Sequence, residues 1–129
     1  MDFVIIVVVL ALIQYIAFAI LVGRAREKYD VKAPAISGDP VFDRYYRVHQ
    51  NTLEQLVVFL PAIFLYSYLG NPMYAAGFGV VYLIGRMIYL RSYLKDPGSR
   101  GLGFMLTFLP SVLMLIGALF MAGRNLLAA

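Results

Sequence analysis

Residues Phe3–Val22 form an apolar run of twenty broken only by Gln14. A helix of that length, at 1.5 Å per residue, crosses a hydrocarbon layer of about 30 Å. Three more stretches follow, at Leu56–Leu69, from Asn71-Pro72 to about Leu94, and at Leu102–Ala122. With 62% hydrophobic and 14% charged residues in 129, a soluble single-core domain is excluded, because a small fold leaves too much of its surface facing solvent. The sequence therefore predicts an all-α integral membrane four-helix bundle, a single domain over residues 1–129.

Local signals mark the helix ends. Asp39-Pro40 and Asn71-Pro72 each pair an N-cap side chain with proline at the first helical position. The second helix is expected over Pro40 to about Leu69, with its first third outside the hydrocarbon, after a polar stretch at Gly23–Gly38. The third ends before Asp96-Pro97-Gly98, and the one- or two-residue link at Gly70 makes the second and third an antiparallel hairpin. Pro61 and Pro110 are expected to bend their helices. The Met1-Asp2 start carries no positive charge and the basic cluster follows the apolar run, so the first span is read as retained rather than cleaved.

Charge sets the topology. Arg24, Arg26, Lys28, Lys32, Arg44, Arg47, Arg86, Arg91, Lys95 and Arg100 lie on or near one side of four crossings, and only Arg124 lies on the other. That bias predicts a cytoplasmic charged side, with both termini on the non-cytoplasmic side. A bacterial inner membrane and a eukaryotic internal membrane both fit. The net charge of +4 follows from this bias, so it does not point to nucleic acid. Absence of cysteine excludes disulfides, iron–sulfur clusters and thiolate nucleophiles of the chain's own, and His49 as sole histidine excludes two-His metal sites. No metal is expected.

Ionisable groups near lipid are costly and so informative. Arg47, Asn51 and Glu54 follow i, i+4, i+7 on one face of the second helix. Ala75, Gly79, Tyr82, Arg86, Tyr89 and Tyr93 line one face of the third. Such a set suits a zwitterionic, carboxylate-rich small molecule: Arg47 for a carboxylate, Glu54 for an ammonium, Asn51 for either, and phenols for further hydrogen bonds. Each residue also has a plainer reading. Arg47 and Glu54 would pair through Asn51; Tyr89 and Tyr93 would belong to an interfacial belt; Arg86 would anchor packing. Arg100 would serve topology alone, Gln14 would join helices, and His49, pointing away from Arg47 and Glu54, would be structural or intersubunit.

The run Phe42-Asp43-Arg44-Tyr45-Tyr46-Arg47-Val48-His49-Gln50-Asn51-Thr52-Leu53-Glu54 closely resembles the signature of the MAPEG superfamily, membrane-associated proteins in eicosanoid and glutathione metabolism. Its form Arg-x-His-Gln-Asn-Thr-x-Glu looks most like the microsomal glutathione transferase 3 branch. Gly85-Arg86-Met87-Ile88-Tyr89-Leu90-Arg91-Ser92-Tyr93, followed by Arg100, resembles the family's third helix and the loop after it. The resemblance implies a homotrimer with glutathione as co-substrate between subunits, near the cytoplasmic face and open to lipid. It implies that Arg47, Asn51, Glu54, Tyr89 and Tyr93 hold the tripeptide, that Arg26 reaches its carboxylates, and that His49 and Gln55 line the site. Arg100 matches the arginine beside the thiol and is the expected catalytic residue. The implied activity is conjugation of glutathione to a hydrophobic electrophile, with peroxidase activity towards a lipid hydroperoxide beside it. Gln55, where several relatives have an aromatic residue, and Glu27, where some leukotriene-forming relatives have a second arginine, weaken a leukotriene-synthase reading. The alternative is a non-catalytic lipid-binding protein of the same fold. A transporter would need a polar path through the non-cytoplasmic halves of the spans, which carry almost no ionisable residues.

Overall fold

In a computed structural model, which describes residues 1–129, four long helices and no strands are present. They are α1 (Asp2–Tyr29), α2 (Pro40–Leu69), α3 (Pro72–Lys95) and α4 (Gly101–Ala128), with a 3₁₀ turn at Pro97–Ser99 before α4. All four are long and apolar enough to cross a membrane. The expected cap signals operate: the Asp39 carboxylate accepts from the Val41 and Phe42 amides, and the Asn71 side chain accepts from Met73 N–H. Two expectations shift. α1 continues past Gly23 through the basic cluster, because Arg24–Lys28 are good helix formers in water as well as in lipid, and stops only where Asp30 turns left-handed. α4 likewise extends to Ala128, beyond the Ala122 end of its apolar run. Both α2 and α4 are continuous through their internal prolines.

Packing follows a repeat hidden inside uniform hydrophobicity. On α1 Val4, Val8, Ala11, Tyr15, Phe18, Val22 and Ala25 follow one inward stripe in alternating steps of four and three, with Val7 buried beside it. On α3 buried Ala75, Gly79, Tyr82, Arg86 and Tyr89 and half-buried Tyr93 follow the same steps, with Ala76, Gly85 and Leu90 buried beside them. That 3.5-residue spacing is the seam of a left-handed bundle. The intervening isoleucines and leucines of α1, half-buried Leu21 apart, stay exposed, as a lipid-facing surface requires. α2 and α3 each touch the other three helices, whereas α1 and α4 occupy opposite corners.

Glycines set the tightest crossing. A Cβ on Gly103 would run into the backbone nitrogen of Tyr89, and one on Gly85 would stand 2.9 Å from the backbone nitrogen of Thr107. α3 and α4 therefore meet backbone to backbone, the small-residue contact favoured where lipid offers no hydrophobic drive. Backbone cannot yield as a side-chain tip can. Gly103→Ala should lower unfolding stability in detergent by about 1–3 kcal/mol through overpacking. Gly77→Ala, where nothing lies within 4 Å, should hold or raise it. Thermal unfolding followed by circular dichroism distinguishes the two.

Candidate functional site

Arg86, on α3, is fully buried at 0% exposure, and its guanidinium joins three helices. Its Nε donates to Thr107 Oγ1 of α4 at 2.9 Å. One terminal nitrogen donates to Asn51 Oδ1 at 2.9 Å and to Thr52 Oγ1 at 3.1 Å, both on α2. The plane of the group lies over the Tyr89 ring, 4.3 Å from its centroid. None of these four partners is a carboxylate. Each threonine hydroxyl in turn donates to a carbonyl one turn back, Val48 for Thr52 and Gly103 for Thr107. The second terminal nitrogen has no partner.

These contacts fix a register. Arg44, near the start of α2, donates to the Leu94 carbonyl in the last turn of α3 at 2.9 Å, and Thr52 meets Arg86 further down. Arg47 therefore stands at the level of the Tyr89–Tyr93 turn. Those two rings stack with centroids 5.6 Å apart. The approach of Gly103 to Tyr89 puts Arg100, the cap residue three positions before it at the start of α4, level with Tyr93. Arg100 is exposed and donates to the Pro97 carbonyl at 2.8 Å.

The expected face of α2 exists, but it points away from the core. Arg47 and Glu54 are exposed, on an outward stripe continued by Val58, Pro61 and Leu65, and neither makes a side-chain hydrogen bond within the protomer. Pairing of Arg47 with Glu54 through Asn51 is thus not what the amide does; its oxygen serves Arg86. Conversely, the polar stripe of α3 is the buried face of that helix, and only its upper end, Tyr89 and half-buried Tyr93, borders the exposed charges. Gln55 lies one turn below Asn51, half-buried.

Two expected site residues stand elsewhere in the protomer. Arg26 donates to the carbonyls of Ala35 at 2.6 Å and Val31 at 3.4 Å and lies over the Phe42 ring, so it clamps the loop between α1 and α2. His49 stacks on Tyr15 of α1, centroids 4.5 Å apart, on the opposite flank of α2 from Arg47. Sequence reasoning passed over Thr52, Thr107 and Arg44. Thr107 and Ser111 are the sole hydroxyls within Leu102–Ala122, and polarity in so apolar a span is the signal that would have found the first.

The MAPEG family profile matches residues 4–120. The chain belongs to the MAPEG family. A relative from Synechocystis, an uncharacterised protein, is 44% identical over 85% of this chain and 80% of its own length. Human microsomal glutathione S-transferase 2 is 36% identical over 92% of this chain and 81% of its own length. Bovine prostaglandin E synthase is 36% identical over 68% and 60%. The membrane four-helix bundle of this MAPEG chain is thus a family property. The transferase relative bears the number 2, whereas the motif's wording resembles type 3.

The arrangement can grip an anionic or zwitterionic ligand through exposed guanidiniums, a carboxylate, an amide and phenols at one depth. Arg86, by contrast, is enclosed and acts on the others. Replacing it with an apolar residue of similar length strands no buried donor, since both threonine hydroxyls keep their carbonyls. Arg86→Met should therefore leave the unfolding midpoint unchanged or raise it. Arg86→Ala, which leaves a cavity, should lower stability by about 2–5 kcal/mol. Denaturation in matched detergent micelles checks both.

Proposed function

We propose that this MAPEG chain is an integral-membrane glutathione transferase that conjugates glutathione to hydrophobic electrophiles, with peroxidase activity towards lipid hydroperoxides. The observation that carries this is the unsatisfied face of α2: Arg47 and Glu54 exposed and unpaired, beside Asn51 and the Tyr89–Tyr93 stack. Charges at the edge of a hydrocarbon layer persist where something of opposite charge meets them. Glutathione carries two carboxylates and an ammonium. Arg47 takes a carboxylate in a bidentate fork and Glu54 accepts from the ammonium. Because the oxygen of Asn51 is held by Arg86, its NH₂ group is the part left to donate to the peptide. Tyr89, Tyr93 and Gln55 supply the remaining hydrogen bonds. The glutathione-related names of the MAPEG relatives support the same ligand.

His49, on the other flank of α2, and Arg26, at the end of α1 over the Phe42 ring, suit a homotrimer in which they complete a neighbour's site. Arg26 keeps Nε and its second terminal nitrogen for a carboxylate while the first holds the loop. The site faces the cytoplasm, with both termini across the membrane.

Arg100 acts on the sulfur. A free thiol has a pKa near ~8.5, so only a few per cent is thiolate at neutral pH, and the thiolate is the nucleophile. A guanidinium within ~4–6 Å favours the anion. The thiolate then attacks an electrophilic carbon arriving laterally from lipid; with an aryl halide a carbon–sulfur bond forms, the carbon–halogen bond breaks and halide ion departs.

Arg100→Ala should lower turnover with a hydrophobic aryl halide at pH 7 by about one to two orders of magnitude. The deficit should shrink towards pH 9, where the unassisted thiol ionises by itself, if the loss is one of thiolate. A pH-independent deficit would deny Arg100 that role. Glu54→Gln should raise the glutathione KM about tenfold with a smaller change in kcat, as expected for a lost charge-assisted contact. Calorimetric titration with glutathione of the folded protein in detergent tests the ligand itself. Binding without turnover on any electrophile or hydroperoxide would make the chain a non-catalytic member of its family.

A further inference from the structure

Between α1 and α3 runs an open groove of about 730 Å³. Its walls are apolar, from Leu10 and Ile84 to Ala17 and Met87, and its charged lining consists of Arg24 and Arg91 alone. Gln14 forms the floor: its Nε2 donates to the Leu83 carbonyl at 3.0 Å, while its Oε1 is enclosed without a partner.

That bond sets the depth of everything else. α1 and α3 run parallel, Arg24 lies ten residues beyond Gln14 and Arg91 eight beyond Leu83, so both guanidiniums stand roughly 12–15 Å further along the axes. This is about half the thickness of a bilayer's hydrocarbon core. With Gln14 near the midplane, both arginines reach the headgroup level of the basic side of the protein. Both are exposed, and neither is held by a protein acceptor. The groove thus has the length of one leaflet, an apolar body and a paired cationic head.

We propose that this groove holds one anionic phospholipid of that leaflet, its phosphate between Arg24 and Arg91 and an acyl chain running past Ala17 and Met87 towards Leu10. A zwitterionic lipid places a positive group beside its phosphate and meets the two arginines less favourably. Met87 and Arg91 lie on the face of α3 away from Tyr89, so the lipid site is separate from the glutathione site and does not rest on that reading.

Native mass spectrometry of the full chain, released from nanodiscs of equal phosphatidylglycerol and phosphatidylcholine, tests this directly. The wild type should retain phosphatidylglycerol in preference to phosphatidylcholine. Arg24→Gln/Arg91→Gln should weaken that retention about thirtyfold, the loss expected for two basic contacts with an anionic headgroup. Lys32→Gln/Lys95→Gln, which removes equal charge outside the groove, should change it less than threefold. Ala17→Phe, which fills the groove and leaves both arginines, should also reduce it. Equal retention of the two lipids, equal loss in the two charge variants, or full retention in Ala17→Phe would overturn the proposal. So would efficient disulfide formation between copies of Ala17→Cys in the membrane, since a second protomer would then cover the groove; the chain has no other cysteine.

Discussion

Hydrocarbon supplies no hydrogen-bond partners, so each polar group at membrane depth is met from within the protein or leaves a cost behind. Helices discharge that requirement for the backbone, and the side chains repeat it on a smaller scale. Thr52 and Thr107 each accept from Arg86 and donate to their own helix, which closes both ends of each hydroxyl. Gln14 closes half of its amide on Leu83. The groups left over are few: besides Gln14 Oε1 and His49 Nε2 on the side of α1, they are the second terminal nitrogen of Arg86, the Tyr82 hydroxyl and the Ser111 hydroxyl. Tyr82 and Ser111 lie one turn below Arg86 and Thr107 on the same facing stripes, so these last three gather where α3 faces α4.

A buried cation without a carboxylate is a poor stabiliser, because desolvation outweighs what neutral oxygens return. Its effect is on position. Arg86 turns the oxygen of Asn51 inward, lies over Tyr89 and ties both to α4 through Thr107. The glycine contacts work to the same end, since Gly103 against the Tyr89 backbone fixes where α4 begins. Long side chains there would push the start of α4, and Arg100 with it, away from the tyrosine pair. The site is thus placed by backbone proximity and one hub rather than by the exposed residues themselves.

The number of helices and the caps of α2 and α3 were legible because each depends on local chemistry: about twenty apolar residues, an Asp-Pro, an Asn-Pro. The starts of α2 and α3 fall where Asp39-Pro40 and Asn71-Pro72 place them. The seven extra residues of α1 were not legible from hydropathy, which reads lipid and is silent about a helix that continues into water. Orientation was harder still. Arg47 and Arg86 are both arginines on polar helical stripes, yet one faces outward and the other inward, because that choice depends on which helix supplies Thr52 and Thr107 as partners. The partner surface that decides it lies partly in uniformly apolar α1, where periodicity of hydrophobicity carries little contrast.

The circumference of α2 bears on how a site could form at all. Its buried face, through Val48, Thr52, Leu56 and Phe59, packs on the bundle, with His49 on the flank towards α1 and Asn51 on the flank towards α3. Arg47 and Glu54 occupy what remains, the convex outer edge. A convex helix edge offers contacts from one side only, whereas small-molecule sites bury most of their ligand. A ligand held there gains its other wall from a second protomer, and the groups a second protomer would present include those on the opposite flank, His49 and the Arg26 clamp. On the proposed function, affinity for glutathione and association of subunits are therefore linked: whichever state buries the outer edge of α2 is the state that binds, so ligand must favour the oligomer by the same factor as the oligomer favours ligand.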